Sequence, residues 1–274
     1  MGPAQARWRG LGQGWLTADR RHDGARVPPL RRWNGCRSLR GHDQGESSSM
    51  RLVLATYNIH RCIGWDGRYD PGRVTDVLKE LEADVIALQE VDSPEHRGLQ
   101  LLHWFSEETK MRAIAGPTLV EQKGHYGNAV LTTCAAREVR LVDLSFGARE
   151  PRGAIDADLH CDGETMQLIA THLGLRPAER RFQVERLLQR FGSSRCLLMG
   201  DLNEWFLWGK PLRLIKRIFG HSPALPTFPA FSPVFALDRI WVRPPATLVH
   251  LQVHRTRRSL RASDHLPLKA VVEW

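Results

Sequence analysis

The 274-residue chain has no apolar run approaching the ~20 residues that a membrane-spanning helix needs, and its N-terminus lacks the apolar core of a secretory signal. It has no Cys-x-x-Cys pair. Its five cysteines, Cys36, Cys62, Cys134, Cys161 and Cys196, are scattered and odd in number. That pattern argues against a zinc site or a disulfide framework and fits a reducing, cytoplasmic setting. No internal repeat at a fixed period stands out. Lysine is absent from the first 49 residues, whose basic charge is all arginine.

The formal charge of +9 and the pI of about 9.8 suggest a polyanionic partner. The charge is unevenly spread, however. Residues 1–49 carry nine Arg against four acidic side chains, and the other 225 residues carry 30 basic and 26 acidic ones, so the body is only +4. The case for nucleic acid is weaker than the pI implies. Apolar residues at 42% are enough for a sizeable core, and 25% charged residues are ordinary for a globular protein.

Residues 1–49 have no sustained period of 2 or 3.6 and are rich in Gly, Arg and Pro. A segment of this composition buries too little apolar surface to offset the entropy of ordering it, so a disordered leader is expected. Met50 is followed at once by the strand-like "RLVLATYNIH". Two readings stand: Met50 is the true start and the leader an extension, or the leader is an Arg-rich targeting or nucleic-acid-binding arm.

From residue 50 to 274 the pattern is that of one domain. Residues 51–59 predict a buried strand ending at Asn58, and "DVIALQE" a strand covered on both sides. "YGNAVLTT", "REVRLVDLSF", "GAIDADLH", "ETMQLIATHL", "RCLLMGD", "ALDRIWV", "LVHLQV" and "PLKAVVEW" predict further strands. Val74, Val77, Leu78 and Leu81 fall on one helical face, as do Val184, Leu187, Leu188 and Phe191 after Pro177. Leu99 to Thr109 and "KPLRLIKRIF" also predict helices. Many strands with interspersed helices point to a large α/β sandwich with a mixed sheet.

Polar residues collect at the strand ends. Asn58 and Glu90 end the first two strands, and His172 ends "IATH". Asp201 and Asn203 follow "CLLMG". Asp238 begins "DRIWV", and Asp264 and His265 precede "LPLKAVV". Any one of these acids can be a cap or a turn former. Taken together, they are costly to leave unpaired near a core, and gathering them round a cation and each other removes that cost. Carboxylate and amide oxygens suit a hard ion, Mg²⁺ or Mn²⁺, rather than zinc. Two histidines beside such an ion can donate to phosphate or move protons. The combination describes metal-assisted hydrolysis of a phosphate ester.

The ordered blocks "TYNIH", "ALQEV", "YGNAVL", "ATHL", "GDLNEW", "ALDRIWV" and "SDHLPL" resemble the endonuclease/exonuclease/phosphatase superfamily, the fold of pancreatic deoxyribonuclease, over roughly Met50 to Trp274. "EPRGA", "THLGLRPAERR" and "TFPA" are similar to small bacterial members of unassigned substrate. The resemblance implies a four-layer sandwich of two face-to-face mixed β-sheets flanked by helices. It also implies a metal-dependent phosphodiesterase or phosphatase, with Glu90 as principal metal ligand and Asn58 and Asp264 close by. Asp201 would orient or deprotonate the attacking water, and Asn203 would hold that water and a phosphate oxygen. His172 would contact the phosphate. His265, held by Asp238, would contact it from across the site or act as acid. A small or single-site phosphoester substrate is expected, with DNA or RNA cleavage as the alternative and a non-catalytic module on the same fold as a further one. A monomer is expected.

Other residues are open between two roles. Arg152 can bind phosphate or form an ordinary salt bridge. Asn128, and less so Tyr126, can line the site. His60 can share the strand face of Asn58 or pack at its end. Trp205, Phe206 and Trp208 can grip an apolar substrate, a base or a membrane surface, or simply cover the outer helix. A chain beginning at Met50 should match the full chain in melting temperature and activity; a clearly less stable truncation would show that the leader contributes to the fold.

Overall fold

The computed structural model describes residues 50–94, 98–121, 124–244 and 246–274. The leader expected over 1–49 lies outside the described residues. The strands in chain order are β1 (Arg51–Asn58), β2 (Val85–Pro94), β3 (Arg112–Glu121), β4 (Gly124–Thr132), β5 (Ala135–Asp143) and β6 (Gly153–Cys161). They continue as β7 (Glu164–His172), β8 (Cys196–Asp201), β9 (Asp238–Val242), β10 (Thr247–Val253) and β11 (Leu268–Glu273). The helices are α1 (Pro71–Leu81), α2 (Gly98–Thr109), α3 (Pro177–Leu188), α4 (Lys210–Phe219) and the short α5 (Ser259–Ala262). Among the described residues no helix is long and apolar enough to cross a membrane.

Two mixed sheets form, in the orders β10-β11-β1-β2-β4-β3 and β5-β6-β7-β8-β9. β1 runs parallel to β2 and β7 to β8; the other pairs are antiparallel. Strand alternation sorts the apolar side chains into layers. Leu52 and Leu54 of β1, Leu168 and Ala170 of β7, Leu197 and Met199 of β8, and Ile240 and Val242 of β9 meet between the sheets. Ala55 and Tyr57 turn the other way, toward the faces of α1 and α2 that carry Val77, Leu81 and Phe105. On the far side, Ile169, Leu198 and Trp241 pack against Val184, Leu187, Leu212 and Ile215 of α3 and α4. These three apolar interfaces define the four-layer sandwich.

Local signals place the helices. Asp70 caps α1, its carboxylate accepting from the Arg73 amide at 3.2 Å, with Pro71 in the first turn. α3 and α4 likewise carry a proline in the first turn.

Two features depart from the sequence expectations. β3 was not predicted, because Pro117 interrupts its alternation. It is the outermost strand of its sheet, where proline is tolerated, and the register shifts between Pro117 and Leu119. The reading of the cysteines as unpaired is also corrected: Cys134 and Cys161 form a disulfide, with Cα atoms 4.9 Å apart. Cys134 lies where the chain passes from one sheet to the other. The β5–β6 register pairs Ala135 with His160, which brings the two cysteines together at the end of the ladder. Twenty-seven residues of separation conceal that register, and the bond removes the cysteine argument for a reducing compartment.

On the outer face of β6, Asp156 is 1% exposed. Its carboxylate accepts two bonds from Arg140, at 2.9 and 3.1 Å, two from Arg190 and one from Gln167 at 2.8 Å. Burial opposes its ionisation, but these donors outweigh it and hold the carboxyl below its ordinary value of 3.8. The contribution to stability is therefore fully present above that ordinary value and is lost as pH falls through the lower folded value. Asp156→Asn should destabilise by about 2 kcal/mol at neutral pH, Arg140 being partly solvated. Thermal unfolding across the acid range should show the gap to the wild type closing; a gap unchanged in strong acid would exclude ionic pairing as its cause.

Candidate functional site

The alternation that builds the inter-sheet core also delivers the polar residues. Continuing Leu52 and Leu54 by twos along β1 reaches Asn58 at the strand end. The same rule takes β7 to His172 and β8 to Asp201, and starts β9 at Asp238. All four are buried, and they meet at one open end of the space between the sheets.

Asp201, 1% exposed, is the hub. Its Oδ2 accepts from Asn58 Nδ2 at 3.1 Å and lies 3.4 Å from His172 Nε2 and 3.8 Å from His265 Nε2. Its Oδ1 accepts from the Asn203 amide at 2.8 Å. Burial alone would push this carboxyl up. The bond to His172 and the field of His265 outweigh burial and hold it well below the ordinary carboxylate range.

Each histidine is oriented from behind. Arg152 Nη1 lies 2.9 Å from His172 Nδ1, and His172 Nε2 faces Asp201. The Asn203 side-chain amide lies 3.0 Å from the same Nε2 and donates to the Leu173 carbonyl at 2.9 Å. His265 Nδ1 is 2.8 Å from Asp238 Oδ2, which also accepts from the Thr227 hydroxyl at 2.6 Å. Burial disfavours a charge on His265, but Asp238 and then Asp201 push its pKa up to about 10, so it is an imidazolium between two carboxylates.

Glu90 reaches the site by a backbone irregularity. Val85 and Ala87 face the inter-sheet core and Ile86 and Leu88 face the helices, so strict alternation would send Glu90 toward the helices as well. The β2–β4 register shifts between Leu88 and Val91, and Glu90 takes φ 55°. This bulge re-aims its side chain, and Glu90 Oε1 accepts from Asn58 Nδ2 at 3.1 Å. Positive φ is unfavourable for a residue of this size, and such strain clusters at functional sites.

The other expected residues are placed as follows. Asp264 is half-buried, with Oδ1 3.7 Å from His60 Nδ1 and 3.4 Å from the Ser263 hydroxyl, which itself donates to the Asn58 carbonyl at 2.7 Å. Asp264 is thus tied to the end of β1 through Ser263 rather than by a direct bond to Asn58 or Glu90. His60 lies in a left-handed turn at the end of β1, His60–Cys62, with φ between 44° and 59°; its Nδ1 is 2.9 Å from the Ile63 carbonyl of that turn and 3.7 Å from Asp264 Oδ1. Arg152 forms the ordinary salt bridge, pairing with Glu150 at 3.1 Å, and also reaches His172 at 2.9 Å. Asn128 is buried and donates to the Gly153 carbonyl at 2.9 Å, beside Arg152. Trp205 packs its ring edge-on to Phe228 and Phe235, and Phe228 lies 4.8 Å from the His265 ring.

Sequence reasoning missed Thr227, Ser263 and the buried pair Arg180–Glu204. Arg180 Nε donates to Glu204 at 3.1 Å, and its Nη1 donates to the Leu175 carbonyl at 2.7 Å. This pair ties the loop after His172 to the loop of Asn203. All four lie within the ordered motifs, Glu204 in "GDLNEW", Thr227 in "TFPA", Ser263 in "SDHLPL" and Arg180 in "THLGLRPAERR", but a single sequence carries no sign of what they touch.

The donor chemistry fits a hard divalent ion. Glu90 is a half-buried carboxylate with no cationic partner among the described residues. It stands beside the amide of Asn58, and Asp264 supplies a second carboxylate nearby. A more compact group is also present: ligand atoms of Asp201, Asp238 and His265 lie within 4.8 Å of one another, and Asp238 Oδ1 is buried without a hydrogen-bond partner among the described residues. There the His265 imidazolium already supplies positive charge between the carboxylates.

The sequence profile of the Endonuclease/Exonuclease/phosphatase family matches residues 55–265. The Escherichia coli (strain K12) "Uncharacterized protein YbhP" is 30% identical over 257 residues, covering 84% of this chain and 98% of that protein. Among solved structures, the endonuclease/exonuclease/phosphatase from Bacteroides vulgatus superposes with a TM-score of 0.69 at 20% identity, over 82% of this chain and 99% of that one. A Bacteroides thetaiotaomicron mannosyl-6-phosphatase superposes with a TM-score of 0.63 at 18% identity, over 81% of this chain and all of its own.

Gly200 sits beneath Asp201 with φ +147°, and a Cβ there would stand 1.8 Å from the Thr171 carbonyl oxygen. Gly200→Ala should therefore push β8 off β7 at the site, costing about 3 kcal/mol or more. Chemical denaturation of the variant measures it; wild-type stability would mean that the two strands can separate without loss.

Proposed function

Because the chain belongs to the endonuclease/exonuclease/phosphatase family, we propose that it is a divalent-metal-dependent hydrolase of phosphate esters, acting on a small or single-site substrate. The observation that carries this reading is the ionised Asp201 carboxylate, held at the mouth of the inter-sheet core by Asn58, His172, His265 and the Asn203 amide.

Asp201 orients the attacking water. Its low pKa makes it a weak base, so alignment is its first task, and it accepts the proton as the bond from water oxygen to phosphorus forms. The Asn203 side chain holds the water and a phosphate oxygen. His172, oriented by Arg152, faces the phosphate. The His265 imidazolium, kept charged by Asp238, stabilises the negative charge that grows on the phosphate oxygens and the departing alkoxide. Glu90, Asn58 and Asp264 would hold Mg²⁺ or Mn²⁺, which when bound supplies Lewis-acid polarisation of a phosphate oxygen. Asn128 and Arg152 complete the wall on the His172 side.

The test is a phosphoester panel on purified protein with Mg²⁺ and with Mn²⁺. Glu90→Gln, nearly isosteric and uncharged, should keep the fold and raise the metal concentration required for turnover. Asp201→Asn should lower kcat by about two to four orders of magnitude with a smaller effect on KM. An unchanged metal requirement in the first variant, or near-wild-type turnover in the second, would overturn the assigned role. Salt separates the nuclease alternative: a protein gripping six to ten duplex phosphates loses ~10³–10⁵ in affinity between ~50 and ~200 mM salt. A body of net charge +4 predicts only weak salt dependence.

A further inference from the structure

The proposed chemistry leaves a broad apolar rim unused. Leu175, Phe206, Leu207, Trp208, Phe231 and Val234 are each half or more exposed, Trp208 the most at 72%. They come from three loops: the one after β7, the one after β8 and the one before β9. β7, β8 and β9 are neighbours in one sheet, with β7 parallel to β8 and β9 antiparallel, so all three loops leave the same end of that sheet. That end also carries His172, Asp201 and Asp238. The rim is physically continuous with the site, since the Trp205 ring meets Phe228 at 5.9 Å and Phe228 meets the His265 ring at 4.8 Å. Six large apolar side chains left exposed on loops at one end of a sheet are uncommon on a monomer surface and mark a place of contact.

The residue types and the local charge select the occupant. Tryptophan and phenylalanine mixed with leucine and valine suit the boundary between headgroups and acyl chains. Nucleic-acid bases stack on parallel aromatic faces, whereas here Phe206 and Trp208 are tilted by 36° with centroids 5.3 Å apart, Trp205 stands edge-on to Phe228 at 85°, and half of the six exposed residues are aliphatic. Cations flank the rim. Arg176 follows Leu175 directly. Lys210 comes two residues after Trp208, and Arg213 lies one turn further along α4 on the same face. All three are exposed, and among the described residues none is in an ion pair. Apolar side chains flanked by cations that form no ion pair among the described residues complement an anionic phospholipid surface.

We infer that this rim docks the protein on an anionic phospholipid bilayer. Resting on the hydrolase reading above, it follows that the substrate is a lipid phosphoester presented at that surface: water adds to phosphorus, the phosphorus–oxygen ester bond breaks, and the alcohol leaves carrying a proton.

The test uses the full chain and two kinds of vesicle, phosphatidylcholine alone and phosphatidylcholine containing phosphatidylglycerol and phosphatidic acid. The wild type should sediment with the anionic vesicles, less so in high salt. The double variant Phe206→Ser/Trp208→Ser should lose about tenfold or more in vesicle affinity. It should keep its melting temperature and its turnover of a water-soluble phosphodiester, because neither side chain touches the catalytic residues. No sedimentation of the wild type, or equal sedimentation of the variant, would overturn docking. So would a wild-type dimer that the variant disperses, or single-stranded oligonucleotide binding lost with the same two side chains. If vesicles bind but no lipid phosphoester is cleaved while soluble esters are, the substrate assignment falls. If vesicles bind and no phosphoester of any kind is cleaved, the hydrolase reading falls and docking stands.

Discussion

An ionised carboxylate 1% exposed to solvent must be surrounded by donors or it will protonate, and Asp201 imposes that requirement on everything near it. Asn58 crosses from the other sheet to meet it, the Asn203 amide folds back onto it, and two histidines face it from either side. Each histidine then needs its far nitrogen satisfied, which brings in Arg152 on one side and Asp238 with Thr227 on the other. The site is a chain of such obligations starting from one buried charge.

The fold meets those obligations at little conformational cost because the donors ride on strands. Asn58, His172, Asp201 and Asp238 are the last or first inward-facing positions of strands whose other inward positions form the inter-sheet core. The packing of Leu54, Ala170, Met199 and Ile240 therefore sets where the polar groups stand. Where regular geometry fails, the backbone bends to suit: a bulge at Glu90, a left-handed turn at His60–Cys62, and a glycine at 200 where the neighbouring strand leaves no room for a side chain. Glu90 and Gly200 adjoin the polar cluster directly, as expected when strain is retained for chemistry rather than for stability.

Beyond the opening, the loops of the second sheet have a different character. They end in aromatic and aliphatic side chains that the core does not claim, while the buried Arg180–Glu204 pair ties the loop after β7 to the loop after β8. A rigid floor under an apolar, cation-flanked rim matches a site that meets its substrate at a surface.

Much of this was legible in the chain. Alternating and continuous apolar runs marked ten of the eleven strands among the described residues, the 3.6-residue faces of α1 and α3 and the proline-opened turns marked helices, and the polar residues at strand ends marked the site, because these signals are local. The ordered motifs supplied the family. The tertiary structure decided what depends on register and crossing. It alone paired Cys134 with Cys161, because that pairing is set by the β5–β6 ladder and not by the spacing of two cysteines. It alone turned Glu90 toward Asn58, since a bulge reverses the parity that alternation would assign. It brought Thr227 and Ser263 to the site across long stretches of chain, and it gathered three separate loops into one apolar rim. In each case the deciding distance is between residues far apart in sequence, and only the packing of the two sheets brings them within reach.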